Sequence, residues 1–178
     1  WMAEGRKYEE VVLMTASLAR LLRQSISNED EVVPLAREVE YAKGYLTIQK
    51  MRYKDKLEFE IEVEPSILNI PLIKLVLQPI IENAIYHGLK YKESKGLLQV
   101  KGFMKDGNAV LQVIDNGVGM DEETLSHIYD KHKVNYHSNG VGVYNVQKRL
   151  KLYYGENYGI TYESEKGVGT TATITIPG

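Results

Sequence analysis

Asn83 is the first residue whose type and surroundings suggest chemistry. It lies in the apolar stretch from Gln78 to Gly88, where isoleucine and alanine residues flank it. A carboxamide oxygen at the edge of a core is a suitable ligand for Mg²⁺, which takes such hard oxygens together with phosphate oxygens. The alternative is an asparagine that only satisfies hydrogen bonds with its own surroundings. By itself the stretch does not separate these two interpretations.

A second candidate is the glycine-rich run from Asp115 to Met120, which directly follows a predicted strand. A carboxylate at a strand end can accept a hydrogen bond from the exocyclic amine of adenine, a donor that guanine lacks at that position. Asp115 could therefore select the base, and Gly117 and Gly119 would let the backbone approach the ring. A tight turn is the alternative, since Asp-Asn-Gly is also a strong turn signal.

Two further glycine motifs follow. Gly140 and Gly142 open a predicted helix, whose unpaired N–H groups and macrodipole favour a bound phosphate. They lack the Lys-Ser/Thr ending of a P-loop and follow no parallel strand, so neither a Walker site nor a dinucleotide fold is supported. The last run, Gly167 to Ala172, is explained by a hairpin turn, although the hydroxyl of Thr170 could also support Asp115.

The elements expected to position these residues begin with two helices over residues 9–54, because apolar residues recur there at steps of three and four. Pro34 is predicted to lie in the first turn of the second helix. The first apolar stripe contains Val11, Met14, Leu18 and Leu21, and the second contains Leu35, Val39, Ala42 and Leu46. Each stripe either covers the core of the domain or forms a dimer seam, and the sequence leaves both open.

From Leu57 onwards strands and helices are mixed. Strands are predicted over Leu57 to Val63, Leu97 to Met104, Ala109 to Ile114, Gly159 to Glu163 and Thr170 to Ile176, with turns at Asp106-Gly107 and Lys166-Gly167. Helices are predicted from Pro71 to Leu89 and from Val141 to Tyr154. The expected fold class is therefore α+β, a two-layer sandwich with helices on one face of a mostly antiparallel sheet. We place a domain boundary near residue 55, between a helical segment (1–55) and a second domain (56–178).

Composition narrows the function classes. A chain of 178 residues with 43% hydrophobic residues suits one well-buried domain with a helical extension. Its formal net charge of -2 creates no field that would attract nucleic acid, so we expect no nucleic-acid partner. The lack of cysteine excludes disulfides and thiolate metal sites. No apolar run approaches the roughly 18 residues that span a bilayer, so any membrane segment of the parent protein is expected upstream of Trp1.

Taken in this order, the four motifs resemble the asparagine box and the successive glycine boxes of one ATPase superfamily. That superfamily groups gyrase-type ATPases, heat-shock chaperones, histidine kinases and mismatch-repair ATPases. Within it, the chain is similar to the LytS-type sensor histidine kinases. The similarity is carried by three runs, Tyr45 to Arg52, Leu77 to Ala84 and Leu152 to Gly155, and it extends from Leu21 over nearly the whole chain.

The resemblance implies a Bergerat-type ATP-binding sandwich that takes ATP and Mg²⁺, with Asn83 on the metal and Asp115 on adenine. Glu82, beside Asn83, is expected to assist a proton transfer. The implied nucleotide-binding residues are Asn83, His87, Asp115, Gly117, Gly119, Met120, Gly140, Val141, Gly142, Val143 and Thr170. Residues 121–139 would form a mobile lid, in which His127, Lys131, His132, Lys133 and His137 could neutralise phosphates. A solvated polar loop is the commoner explanation for such residues.

The resemblance also implies an activity and partners. The γ-phosphoryl group of ATP would pass to a histidine on a helical module, and a response regulator would be the further partner. The full-length protein would be a homodimeric, membrane-anchored sensor with this part on the cytoplasmic side. The family's acceptor motif Asn-Pro-His-Phe is absent, so we expect this chain to bind Mg-ATP without labelling itself. Tyr86 and Tyr144 replace residues that are often Lys and Arg, which leaves the positive charge near the phosphates unassigned.

Two other functions remain open from sequence. An ATP-hydrolysing member of the superfamily would resemble its relatives in carrying a glutamate one helical turn before the asparagine, and this chain has Pro79 there. A non-enzymatic module, in which nucleotide only orders the lid and sets a partner interaction, is the second alternative. Tyr86 and Tyr144 are compatible with it.

Overall fold

The structure, a computed structural model, describes residues 31–128 and 140–178 together with the single residues Val12 and Thr15. The predicted stripe of the first helix, Val11, Met14, Leu18 and Leu21, lies outside the described residues. No helix within the described ranges has the length and apolar character that crossing a bilayer requires.

Among the described residues, five strands form the central sheet: β2 (Leu57–Val63), β4 (Gly96–Lys105), β5 (Asn108–Asp115), β6 (Gly159–Glu165) and β7 (Gly169–Pro177). Their order across the sheet is β2-β4-β5-β7-β6. Strand β2 pairs with β4 in parallel, and the other three pairings are antiparallel. The predicted fold class, an α/β sandwich with a mostly antiparallel sheet, is confirmed. All five predicted strands are present, each within two residues of its expected ends.

Helices cover the face of the sheet on which the inward side chains of β4 and β5 are buried. They are α1 (Leu35–Tyr53), α2 (Leu77–Asn83) and the later helix α4 (Gly140–Tyr154). Between α2 and α4 in sequence lies the short helix α3 (Glu122–Ser126), which contains no buried residue. Leu35, Ala42 and Leu46 of α1 are at most 1% exposed and belong to the same core as Leu98 and Leu111 of the sheet. The second apolar stripe therefore covers the core. The division near residue 55 stays a prediction.

The prediction of one helix from Pro71 to about Leu89 is wrong at its start and right at its end. Its first residues form a short strand, β3 (Pro71–Ile73), which pairs antiparallel with β1 (Val32–Pro34). Only Leu77–Asn83 is α-helix, and Ala84–Leu89 continues it as a π-helix. The strand forms because a distant segment offers it backbone partners, which an apolar run in isolation cannot indicate.

Pro34 also lies one position earlier than predicted. It ends β1 and immediately precedes α1, which begins at Leu35. The first N–H groups of α1 have no partner within the helix, and they donate instead to the connection before β3, from Leu35 to Ile70 O and from Ala36 to Leu68 O, both at 2.9 Å. Proline suits this position because it has no N–H group of its own to satisfy.

Candidate functional site

A cavity of about 520 Å³ opens between α2, the π-helix, the ends of β5 and β7, and the segment that contains α3. Six residues predicted to bind nucleotide line it: Asn83, His87, Asp115, Gly119, Met120 and Thr170. They come from three separate stretches of sequence, which the fold brings to one hollow. The volume suits a small organic ligand.

Asp115 is the last residue of β5, and its carboxyl group forms part of the cavity wall. The residue is only 5% exposed, and its Oδ1 accepts a hydrogen bond from the N–H of Gly117 at 2.8 Å. Burial raises the pKa of Asp115 to about 6, against the opposing effects of the Gly117 amide, the Lys92 charge and the Thr170 backbone. At neutral pH the cavity therefore contains a mostly ionised, poorly solvated acceptor.

The glycines around Asp115 are required by close packing. A side chain at Gly88 would place its first carbon 2.6 Å from Asp115 Oδ1, and one at Gly117 would overlap the backbone of Gly88. The N–H of Val118 donates to Gly88 O at 3.1 Å, which joins the loop after β5 to the π-helix. Gly119 has φ 63°, and a side chain there would overlap the carbonyl oxygen of Glu165. These contacts fix the position of Asp115 in the wall of the cavity.

Asn83 ends α2 at the point where the helix changes to π geometry. Its side-chain Oδ1 is buried and has no hydrogen-bond partner among the described residues. A buried carbonyl oxygen without a partner is costly unless a ligand satisfies it. The described residues contain no cluster of three or more His, Cys, Asp or Glu that could hold a metal by itself. The unpartnered oxygen of Asn83 fits Mg²⁺, which is typically held by few protein oxygens and completed by phosphates and water.

His87 lies on the π-helix and also lines the cavity. Burial, and after it the charge of Lys90, lowers the pKa of His87. The imidazole is therefore neutral at pH 7, so His87 adds hydrogen-bonding capacity to the cavity without adding positive charge.

Ser164 connects three parts of the cavity rim. Its hydroxyl donates to Gly169 O at 2.9 Å and accepts from the N–H of Met120 at 2.9 Å. It also lies 2.9 Å from Thr170 Oγ1. Since its one proton goes to Gly169, the Thr170 hydroxyl is the donor in that last bond. The Thr170 hydroxyl therefore supports Met120 through Ser164, and the effect of Thr170 on Asp115 comes from its backbone.

The first part of the predicted lid contributes a wall of the cavity. Helix α3 begins after Asp121, whose carboxylate accepts from the N–H of Thr124 at 3.0 Å as an N-cap. His127 lines the cavity together with Thr124. The other four charged or histidine residues predicted for the lid, Lys131, His132, Lys133 and His137, lie outside the described residues.

Several predicted residues do not line the cavity. Glu82 interacts with its own helix, where Gln78 Nε2 donates to Glu82 Oε1 at 2.9 Å. Gly117 packs on Gly88, and Val143 is fully buried in the core. Gly142 lies on α4, where a side chain would contact Pro79 at 3.3 Å. Gly140 and Val141 begin α4, and their burial and the side chain of Val141 lie outside what the structure describes, so neither is assigned to the cavity or excluded from it.

Other wall residues were not anticipated. Tyr162, Val113 and Ala172 line the cavity from β6, β5 and β7. Ile80, one turn before Asn83, adds an apolar surface. The period-two alternation of the strands marks all three strand residues as candidates for an inward face, but it does not show which part of that face stays uncovered by helices.

Comparisons with known proteins agree with this geometry. Residues 69–178 match the family model described as histidine kinase-, DNA gyrase B- and HSP90-like ATPase, and residues 1–57 match the histidine kinase family. The chain is 31% identical over 177 residues to the sensor histidine kinase YesM of Bacillus subtilis, covering 99% of this chain and 29% of YesM. It is 34% identical over 143 residues to the sensor protein LytS of Oceanobacillus iheyensis, covering 79% of this chain and 24% of LytS.

A solved structure gives the same fold. The histidine kinase domain of a blue-light activated histidine kinase from Erythrobacter litoralis superposes with a TM-score of 0.60 at 15% identity, over 94% of this chain and 74% of that chain. The present chain spans less than a third of the length of YesM and of LytS. From its fold, its cavity and these matches, the chain belongs to the histidine kinase-, DNA gyrase B- and HSP90-like ATPase family, as the ATP-binding region found in sensor histidine kinases.

Proposed function

We propose that this chain binds Mg-ATP in the cavity and transfers the γ-phosphoryl group to a histidine of its parent kinase. The observation that supports this most directly is the shared position of two polar groups. Asp115, with its buried carboxyl group, and Asn83, whose buried side-chain oxygen has no partner among the described residues, both line the same hollow of about 520 Å³. Phosphoryl transfer needs placement and charge neutralisation more than covalent help from the protein, and such a cavity supplies placement.

In this proposal, the two groups act at opposite parts of the nucleotide. The ionised carboxylate of Asp115 accepts a hydrogen bond from the adenine amine, and guanine offers no donor at that position. The oxygen of Asn83 is the protein ligand of Mg²⁺, which when bound neutralises charge on the phosphates. The likeness to the family supports the N–H groups of Gly140, Val141 and Gly142, in the first turn of the 15-residue helix α4, as the proposed phosphate donors, and Gly142 itself lies outside the lining of the cavity.

The acceptor and partners belong to the same proposal. None of the four histidines has the Asn-Pro-His-Phe context, so the acceptor is a histidine of the parent protein on a helical dimer module. The match of residues 1–57 to the histidine kinase family supports such a module. A homodimer, transfer to a response regulator, and a cytoplasmic position in a membrane-anchored sensor follow from the likeness to YesM and LytS, and each remains part of the proposal.

ATP hydrolysis is disfavoured as the main activity. Position 79, one turn before Asn83, is a proline and carries no base that could activate water. The neighbouring carboxylate of Glu82 is bonded to Gln78 and does not line the cavity. Neither Pro79 nor Glu82 therefore supplies a general base for water beside Asn83.

Calorimetric titration of the chain with ATP and with GTP, in the presence of Mg²⁺, tests the proposal. We expect ATP to bind, and GTP to bind about 10–100-fold more weakly, because a buried charge-assisted hydrogen bond is lost. Asp115→Asn should remove most of this preference. Asp106→Asn is the matched control, since Asp106 lies in an exposed turn with φ 50°, which asparagine tolerates. An Asp115→Asn chain that still prefers ATP by the parent's ratio would refute the role of Asp115.

A further inference from the structure

Glu38 is a buried carboxylate outside the cavity. It lies on α1 and is only 2% exposed. Charged side chains are rarely buried to this extent unless they are paired or hydrogen-bonded. Glu38 therefore has a specific set of partners, and these partners lie on the element that carries Asn83.

Three backbone N–H groups donate to this one carboxylate. Leu75 N lies 2.9 Å from Oε1, while Val76 N and Leu77 N lie 2.9 and 3.2 Å from Oε2. Helix α2 begins at Leu77, and Val76, at its N-cap position, provides no side-chain cap. The cap of α2 is therefore supplied by a residue almost 40 positions earlier in the chain.

The backbone before α2 adopts an uncommon conformation at the capped point. Leu75 has φ 60°, which is unfavourable for a leucine. The carboxylate of Glu38 accepts from Leu75 and from the two residues after it, so it holds the turn in this conformation. Without that acceptor, three amides next to buried Val76 and Leu77 would lose their partner.

Helix α1 also approaches the far end of α2. Tyr45 lies seven residues after Glu38, two turns further along the same face of α1. Burial, followed by the negative charge of nearby Glu82, raises the pKa of Tyr45. Glu82 is adjacent to Asn83, so α1 lies beside both the first turn and the last turn of α2.

We propose that Glu38 is a positioning residue for Mg²⁺ binding: by capping α2 from α1, its carboxylate fixes where the Asn83 oxygen lies in the cavity. This inference rests on the proposed function, because it takes Asn83 as the metal ligand. It assigns to α1 a role beyond covering the core. The position of α1 fixes the position of the first turn of α2, and the first turn fixes the position of Asn83, the last residue of that helix.

The expected effect is large because metal sites tolerate little displacement. Ligand distances hold within about 0.2 Å, and loss of a residue that orients a ligand typically costs about 10–100-fold in metal affinity. Asn83 lies six residues after Leu77, roughly 9 Å along a rigid helix, so a shift of the first turn is carried to its end. The adenine-binding wall at Asp115 is on β5 and is held by separate contacts.

The test is the Mg²⁺ dependence of ATP affinity in Glu38→Gln. This variant keeps the size of the side chain but replaces one acceptor oxygen with an NH₂ donor, which cannot accept from the backbone amides. We expect ATP affinity in EDTA to stay within about twofold of the parent, while the gain in affinity from Mg²⁺ falls about tenfold. Glu40→Gln is the matched control, because Glu40 is on the same helix with its side chain 44% exposed.

Two outcomes would overturn the proposal in a folded Glu38→Gln chain: an unchanged gain from Mg²⁺, or an equal loss of affinity with and without Mg²⁺, which a general structural role would produce. If the parent chain itself binds ATP without any gain from Mg²⁺, the metal part of the proposed function fails, and the positioning role fails with it. Should Glu38→Gln not fold by circular dichroism, Glu38→Asp, which keeps the charge, is judged by the same two affinities.

Discussion

Asp115→Asn is expected to stabilise the folded chain at pH 8 in the absence of nucleotide, even though it weakens ATP binding. In the unmutated chain, Asp115 lies in the cavity wall with only 5% of the residue exposed, and burial raises the pKa of its carboxyl group from 3.8 to about 6. Asparagine has nearly the same shape and carries no charge. It therefore removes the desolvation of an ionised group and still offers Oδ1 to the N–H of Gly117.

The direction of this change in stability follows from how many protons the folded and the unfolded chain bind. Between pH 3.8 and about 6 the folded Asp115 retains a proton that the unfolded chain has lost. The stability contributed by this group is thus fully present below pH 3.8 and is lost as pH rises through about 6. A shift of about 2 units corresponds to about 3 kcal/mol at pH 8, of which about half is already lost at pH 5.

Urea unfolding of both chains at pH 5 and pH 8 measures this effect. The shift of about 2 units already includes the stronger hydrogen bond from the Gly117 amide to the ionised carboxylate. The variant should therefore be about 3 kcal/mol more stable than the parent at pH 8, and its advantage should shrink by about 1.5 kcal/mol at pH 5. Asp121→Asn is the control of opposite sign, because hydrogen bonds from Thr124 and the nearby Lys166 lower the pKa of exposed Asp121.

Two results would refute the reasoning. The unmutated chain could be as stable as Asp115→Asn at pH 8, or the difference in unfolding free energy between the two chains could be the same at pH 5 and pH 8. Either result would mean that Asp115 is solvated well enough to ionise normally in the folded chain.

Two further predictions follow from the same site. The ATP affinity of the unmutated chain, divided by that of Asp115→Asn, should fall about tenfold from pH 7 to pH 5, because the Asp115 carboxylate takes up a proton. An affinity ratio that does not change over this range, measured by calorimetry, would show that ionised Asp115 is not the acceptor. Gly119→Ala should lower stability by about 3 kcal/mol, because its new carbon would overlap Glu165 O in addition to the unfavourable φ of 63°. Gly107→Ala, with φ 77° but open space around it, should lose only about 1–2 kcal/mol in thermal unfolding, and equal losses in the two variants would contradict the packing argument.

Much of the fold could be predicted because the burial pattern of each strand is visible in its own residues. The alternation in β2 and the Asp106-Gly107 turn between β4 and β5 need only neighbouring residues to specify them. The segment from Pro71 to Leu89 could not be predicted in the same way. Its strand depends on pairing with Val32–Pro34, and the turn after it depends on the carboxylate of Glu38.

The candidate site also contains features that neighbouring residues specify and features that only the fold shows. Asp115 and Asn83 were identifiable because each combines a polar side chain with an apolar run that must be buried. The π-helix at Ala84–Leu89, which places Gly88 against the loop after β5, has no recognisable pattern in sequence. Gly117 was expected to face the ligand, but the structure places it against Gly88, because only the three-dimensional fold shows which partner a glycine approaches. The role of each in binding stays a prediction.

The outer strand of the sheet affects how the protein behaves at high concentration. Strand β2 lies at one edge of the five-stranded sheet, where an unpaired backbone invites a strand from another molecule. Every second residue along it is an exposed glutamate, Glu58, Glu60 and Glu62, on the side of the sheet away from the core. Glu58 is paired with Lys95, so two such edges approaching each other would bring the negative charges of Glu60 and Glu62 together. This repulsion discourages edge-to-edge aggregation at neutral pH and is lost when acid neutralises the carboxylates.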